Sequence, residues 1–235
     1  MKEVWIMSKS ALIVGAGSGL SAALARQCHA AGMVVSLAAR DGAKATAVVA
    51  ETGAALHQCD ASSIEDVAAL FTTLDATTGT PDLVVYNPSA RIRGPITELD
   101  PAATRTAIET TCFGAFLVAQ QAARRMLERG SGSILFTGAS AGVKGFANSS
   151  VFAMGKFGLR GLAQALAREL HPQNIHIGHF VIDGGIASDR QDRQDDGTDR
   201  MLDPEAIAEA YLQFHHQHRS AWAWEIELRP WGESF

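Results

Sequence analysis

Residues 11–25, ALIVGAGSGLSAALA, decide the fold. The first four are apolar and end in glycine, the pattern of a short buried strand. Gly15, Gly17 and Gly19 occupy the turn, and a small-residue helix over 21–31 follows, closed by Gly32. Glycine at such a turn lets backbone approach a pyrophosphate. The helix start adds unpaired N–H groups and the positive end of its dipole. The placement is more regular than the letters. The pattern G-x-G-x-x-G fails because position 20 is Leu. The pattern G-x-x-x-G-x-G fits at Gly15 and Gly19 but ends on Ser21, small enough for close helix–sheet packing. Gly15, Gly17, Ser18, Gly19 and Leu20 are the candidate phosphate cradle; the plain alternative is a glycine turn without a ligand.

Outward from this unit, strand and helix patterns alternate. Strands are expected over 34–39, 55–58, 83–86, 133–136, 176–182 and 223–228. Between them lie helices over 42–52, 62–78, 101–128 (one helix or two joined), 150–170 and 204–218. Ser62 reads as a cap with Glu65 three residues on. Near-continuous apolar strands separated by helices mean a parallel sheet covered on both faces. The expectation is an α/β, doubly wound, Rossmann-like single domain spanning residues 1–235, without linker or repeat.

Composition narrows the function classes. An apolar fraction of 47% excludes a disordered chain, which has too few apolar side chains to offset ordering entropy. Lys plus Arg number 20 against 25 Asp plus Glu, with no basic run, which argues against nucleic acid or an anionic membrane as partner. No apolar run approaches a membrane span, and glycines interrupt the faint leader-like pattern near Lys9. Cys28, Cys59 and Cys112 are far apart, as expected of reduced thiols in a cytoplasmic protein. At the end of the second strand, an acid suits a ribose 2′-hydroxyl and a base suits a 2′-phosphate. Arg40 favours NADP(H) over NAD(H). Asp41 facing the ribose, or a solvated Arg40–Asp41 pair, are the alternatives.

The chain resembles the short-chain dehydrogenase/reductase family over nearly its whole length. The resemblance rests on GAGSGLS (15–21), CDAS (59–62), NPSA (87–90), FTGASAG (136–142), FAMGK (152–156) and IDGGIAS (182–188), in that order. It implies that Asp60 meets the adenine amino group, with the backbone of Ala61 contributing. It places Asn87 near the cofactor and Ile186 against the nicotinamide carboxamide. It also implies a small-molecule substrate, carbonyl or alcohol chemistry, and a homodimer or homotetramer built through the helices around 107–125 and 150–168.

The same resemblance exposes departures. The family's reaction uses Asn, Ser, Tyr and Lys. Here those positions hold Thr111, Ala139, Phe152 and Lys156, so only the Lys is kept. Ser140 is adjacent to the Ser place, and a one-residue shift would bring it in. No shift supplies a Tyr, since the chain's two tyrosines are Tyr86 and Tyr211. Phe152 and Lys156 are i and i+4, on one helix face. Phe152 keeps the ring but has no proton to give, a loss worth ~10²–10⁴ in rate. Hydride chemistry belongs to the cofactor and survives the change. Thr111, Ser140, Phe152 and Lys156 are the catalytic candidates. The readings are an NADP(H)-binding oxidoreductase with an altered proton relay, or a non-catalytic nucleotide-responsive sensor. A third is an ordinary enzyme in which Phe152 is core and another residue is the acid.

Four weaker features remain. His215, His216 and His218 resemble a metal cluster, with His215 and His218 on one helix face, but lack a further ligand; no metal is expected. Arg91 and Arg93 line the substrate mouth and attract an anion, or are surface charges. Trp222, Trp224 and Trp231, with Arg229, form a subunit contact, cap the cleft, or pack the last strand. The charged stretch 186–201 is a lid or a plain surface loop.

Overall fold

The computed structural model describes residues 9–188 and 197–232. Strands β1 (Ser10–Val14), β2 (Val34–Ala39), β3 (Ala55–Gln58), β4 (Leu83–Tyr86), β5 (Gly132–Thr137) and β6 (Ile175–Ile182) form the main sheet with β9 (Glu225–Leu228). Their order is β3-β2-β1-β4-β5-β6-β9, every neighbouring pair parallel. A two-residue pair, β7 (Gly185–Ile186) and β8 (Met201–Leu202), sits apart. Strand order reverses between β1 and β4, which opens a crevice at their C-terminal ends.

Alternating side chains feed two cores, since successive residues of a strand point to opposite faces. Ala11 and Ile13 pack with helices α1 (Leu20–Ala30), α2 (Thr46–Thr52) and α7 (Pro204–His215); Leu12 and Val14 pack with α3 (Ile64–Thr77), α5 (Gly114–Arg129) and α6 (Ser150–Leu170). This is the doubly wound single domain the alternation predicts. No helix among the described residues is long and apolar enough to cross a membrane.

The differences from expectation have physical causes. The cap of α3 is Ser63, not Ser62: Ser63 Oγ accepts from Asp66 N at 3.1 Å, while Ser62 is turned to Asp60. The 42–52 segment starts as a 3-10 turn, Gly42–Ala45, capped by Asp41, before α2 begins. The 101–128 segment is two joined helices. Helix α4 (Pro101–Ile108) meets α5 through a π turn, Glu109–Phe113, where one extra residue enters the ladder. Helix α7 stops at His215. His218 therefore lies beyond the helix and shares no face with His215, whose Nδ1 meets Ser133 Oγ at 2.8 Å. No cluster of three potential ligands occurs among the described residues. The tryptophans do not cluster: Trp222 stacks on His176, Trp224 meets Arg160, and Trp231 is exposed. Of the supposed 186–201 lid, residues 189–196 lie outside the described residues.

Candidate active site

The cradle is built at the end of β1. Gly15 has φ +86, and a Cβ there would lie 2.8 Å from Pro88 N, so neither conformation nor space admits a side chain. Its carbonyl accepts from Ser21 Oγ at 2.8 Å, and Ser21 accepts in turn from Asn87 Nδ2 at 2.7 Å. The serine in the third glycine's place thus ties the turn after β1 to the turn after β4. Leu20 sends its side chain into the core and contributes only backbone to the turn.

These residues fit a dinucleotide. Helix α1 starts at Gly19 with no side-chain cap and no acidic residue in its first turn, leaving N–H groups for an anion. A Cβ on Gly17 or Gly19 would meet nothing within 4 Å, so the space above the turn is open. Beside it runs a cleft lined by Gly15, Arg40, Asp41, Lys44, Asp60 and Ala61, among others. Asp41 Oδ1 accepts from Ala43 N at 2.9 Å and so caps its own turn, while Arg40 and Lys44 bring two cations to the cleft. Asp60 is fixed from both sides. Its Oδ1 accepts from Ser62 Oγ at 2.6 Å, and its N donates to Asp66 Oδ2 at 2.8 Å. The Ser62 hydroxyl holds its carboxyl below the usual range, with Arg40 adding a smaller pull.

At the other end, a second cleft is lined by Asn87, Arg91, Ala139, Phe152, Lys156 and Ile186, among others. Lys156 is buried and donates from Nζ to the Thr137 carbonyl at 2.6 Å. Burial, helped by the Arg91 charge, pulls its ammonium down to about 7. The Phe152 ring is buried, with Lys156 Nζ 5.8 Å from its centroid. Arg91 also lies over this ring, its guanidinium carbon 4.2 Å from the centroid. Arg91 thus lines the cleft, as one of its two sequence readings had it, though its contact with Phe152 was not foreseen.

The remaining candidates separate. Ala139 faces the inner cleft, while Ser140 lines an outer cavity with Arg91, Arg93 and Phe152. Thr111 lies buried in the π turn, where its Oγ1 accepts from Ala90 N at 3.0 Å, holding the loop that carries Arg91. A Cβ on Gly155 would lie 3.0 Å from Thr111, so glycine gives α6 its close approach to this turn. Neither tyrosine stands in for Phe152. Tyr86 donates to Thr110 O at 2.5 Å and Tyr211 to Thr137 Oγ1 at 2.9 Å; both are fully buried.

The parallel sheet thus carries an uncapped glycine turn at its switch point, and the buried Lys156 lines the second cleft. The short chain dehydrogenase model matches residues 9–198, and the chain belongs to that family. A short-chain dehydrogenase from Rhodopseudomonas palustris is 34% identical, with TM-score 0.79, covering 94% of this chain and 99% of that one. A metagenomic short-chain oxidoreductase in complex with NADP is 26% identical, with TM-score 0.83 and coverages of 95% and 98%. The 3-oxoacyl-[acyl-carrier-protein] reductase MabA of Mycobacterium tuberculosis is 28% identical over 208 residues, 88% of this chain and 78% of that protein.

Proposed function

We propose that the protein is an NADP(H)-dependent carbonyl or alcohol oxidoreductase that works without the family's phenol. The observation that carries this reading is the buried Lys156 behind Phe152, at the end of an intact cradle. Gly15, Gly17, Ser18 and Gly19 would hold the pyrophosphate, Asp60 and Ala61 the adenine, and Asn87 and Ile186 the nicotinamide end. A bound nicotinamide would supply hydride chemistry at a substrate carbon. Lys156 would donate to its ribose hydroxyls. Among the described residues lining the inner cleft it alone changes charge near neutral pH. Phe152 and Ala139 shape the cleft and exclude water, while Thr111 and Ser140 serve the neighbouring loop and the outer cavity. Oxidoreductases among the relatives favour an enzyme over the sensor.

Arg40 and Lys44 beside a self-capped Asp41 favour the 2′-phosphate of NADP(H). Calorimetric titration tests this: NADPH is expected to bind at least about tenfold tighter than NADH, equivalent to ~1.4 kcal/mol. Arg40→Ala should erase that preference. Tighter NADH binding by the wild type would reverse the assignment to Asp41. We also propose a homodimer or homotetramer that covers the exposed Phe116 and Phe157 of α5 and α6.

A further inference from the structure

The hydrogen bonds around Ser21 run in one direction. Gly15 N donates to Ala38 O at 2.9 Å, which pins the turn after β1 to β2. The Gly15 carbonyl in turn accepts from Ser21 Oγ at 2.8 Å. A serine hydroxyl has one hydrogen, and a carbonyl oxygen has none to return. Ser21 is buried, so water does not compete for that hydrogen. Toward Asn87 Nδ2, 2.7 Å away, Ser21 Oγ is therefore an acceptor only. This fixes the side-chain amide of Asn87, whose two branches are similar in shape and opposite in hydrogen bonding. Nδ2 must face Ser21, since Oδ1 in that place would set two oxygens against each other with no hydrogen between them. The backbone of Asn87 is held as well, its N donating to Val14 O at 3.0 Å. Asn87 lines the inner cleft with Lys156 and Ile186, and its Oδ1 accepts from no donor among the described residues.

We propose that Ser21 is a positioning residue: it turns the Asn87 amide so that Oδ1 is held as a fixed acceptor for a donor on the nicotinamide half of the cofactor. This deepens the oxidoreductase reading and rests on the inner cleft being the nicotinamide end. The Lys156 ammonium brings donors only, whereas ribose hydroxyls and a carboxamide carry hydrogens of their own that need an acceptor. Asn87 Oδ1 supplies one in the cleft that Lys156 lines. An acceptor oriented before the ligand arrives gives up little further freedom on binding. A glycine at position 21 would pack as closely, but it would leave Asn87 Nδ2 without this partner and the amide free to turn either way. The serine therefore carries orientation from the phosphate end of the site to its reacting end.

The test is calorimetry with two probes, NADPH and its adenine half, 2′,5′-ADP. A role for Ser21 in the shape of the phosphate cradle alone moves both affinities, whereas a role through Asn87 moves only the first. Ser21→Ala is expected to weaken NADPH about three- to tenfold, the weight of one hydrogen bond, and to leave 2′,5′-ADP within about twofold. Ser21→Gly is the second variant and should show the same split. Asn87→Ala should weaken NADPH at least as much as Ser21→Ala. Combining it with Ser21→Ala should cost nothing further, because Ser21 acts through Asn87. Wild-type affinity for NADPH in both Ser21 variants overturns the proposal. So does an equal loss for the two probes, or losses that add in the double variant. A wild type that binds neither probe sinks the cofactor reading and the proposal with it, and the wild-type titration tells that failure from the others.

Discussion

At the residue scale the protein turns on Phe152. The buried ring has the Arg91 guanidinium carbon 4.2 Å and Lys156 Nζ 5.8 Å from its centroid, and the family resemblance puts a tyrosine in its place. Phe152→Tyr together with Ala139→Ser restores both hydroxyls beside an unchanged lysine. Turnover of a neutral ketone with NADPH is expected to rise at least about tenfold, within the ~10²–10⁴ range of general acid–base catalysis. A double variant no faster than wild type would mean that another proton donor is already at work. That Ala139 and Phe152 carry no hydroxyl is plain in the sequence, and their assignment to the family's Ser and Tyr places rests on the resemblance of FTGASAG and FAMGK. What could not be read was the use of each side chain. Asp41 and Arg40 are adjacent letters, yet one is spent capping a turn and the other is left to the cleft. Arg91 meets Phe152 across 61 residues of sequence, through a loop whose course no local pattern encodes.

At the scale of elements, hydrophobic periodicity located every main-sheet strand, and α6 within its bounds, because buried runs and Gly or Pro stops are local signals. The π turn was not legible, since its cause is the tertiary seating of Thr111 against Gly155 and the 87–91 loop. The shift of a cap from Ser62 to Ser63 has a local origin instead, in competition among neighbouring side chains. Asp60 captures the first serine, and Asp66 serves both the cap and the Asp60 backbone. Helices α5 and α6 border a groove that includes Phe116, Leu127, Leu162 and Leu166. Phe113, Phe116, Leu127 and Phe157 stay exposed on the single chain. Apolar surface of this kind on a monomer marks an interaction face. Light scattering at micromolar concentration is expected to show a dimer or larger. Phe116→Glu with Phe157→Glu should shift it toward monomer. A monomeric wild type would remove the proposal.

On the scale of the whole molecule, two buried imidazoles and a half-buried one, His215, shape the response to acid. Burial pulls His176, His179 and His215 down from 6.5 to about 4. His179 keeps its ring neutral with Nδ1–H donated to Glu225 at 2.9 Å, and Glu225 also receives Arg160 from α6 at 2.6 Å. Below pH 6.5 the unfolded chain takes up protons that the folded one refuses, so the stability they contribute is lost as pH falls from 6.5 toward 4. The urea midpoint is expected to hold steady above neutrality and drop over that window. His179→Gln should remove part of the drop, and a midpoint unchanged to pH 5 would contradict the neutral-imidazole assignment.

Thr137 is gripped from both sides of the sheet: its carbonyl takes the Lys156 ammonium, and its hydroxyl takes Tyr211 from α7. A helix on the far layer is therefore moored to the peptide unit that anchors the lysine. Substitutions that loosen its seating are expected to be felt at Lys156 without touching the cleft itself, so the back of the molecule helps set the geometry at its front.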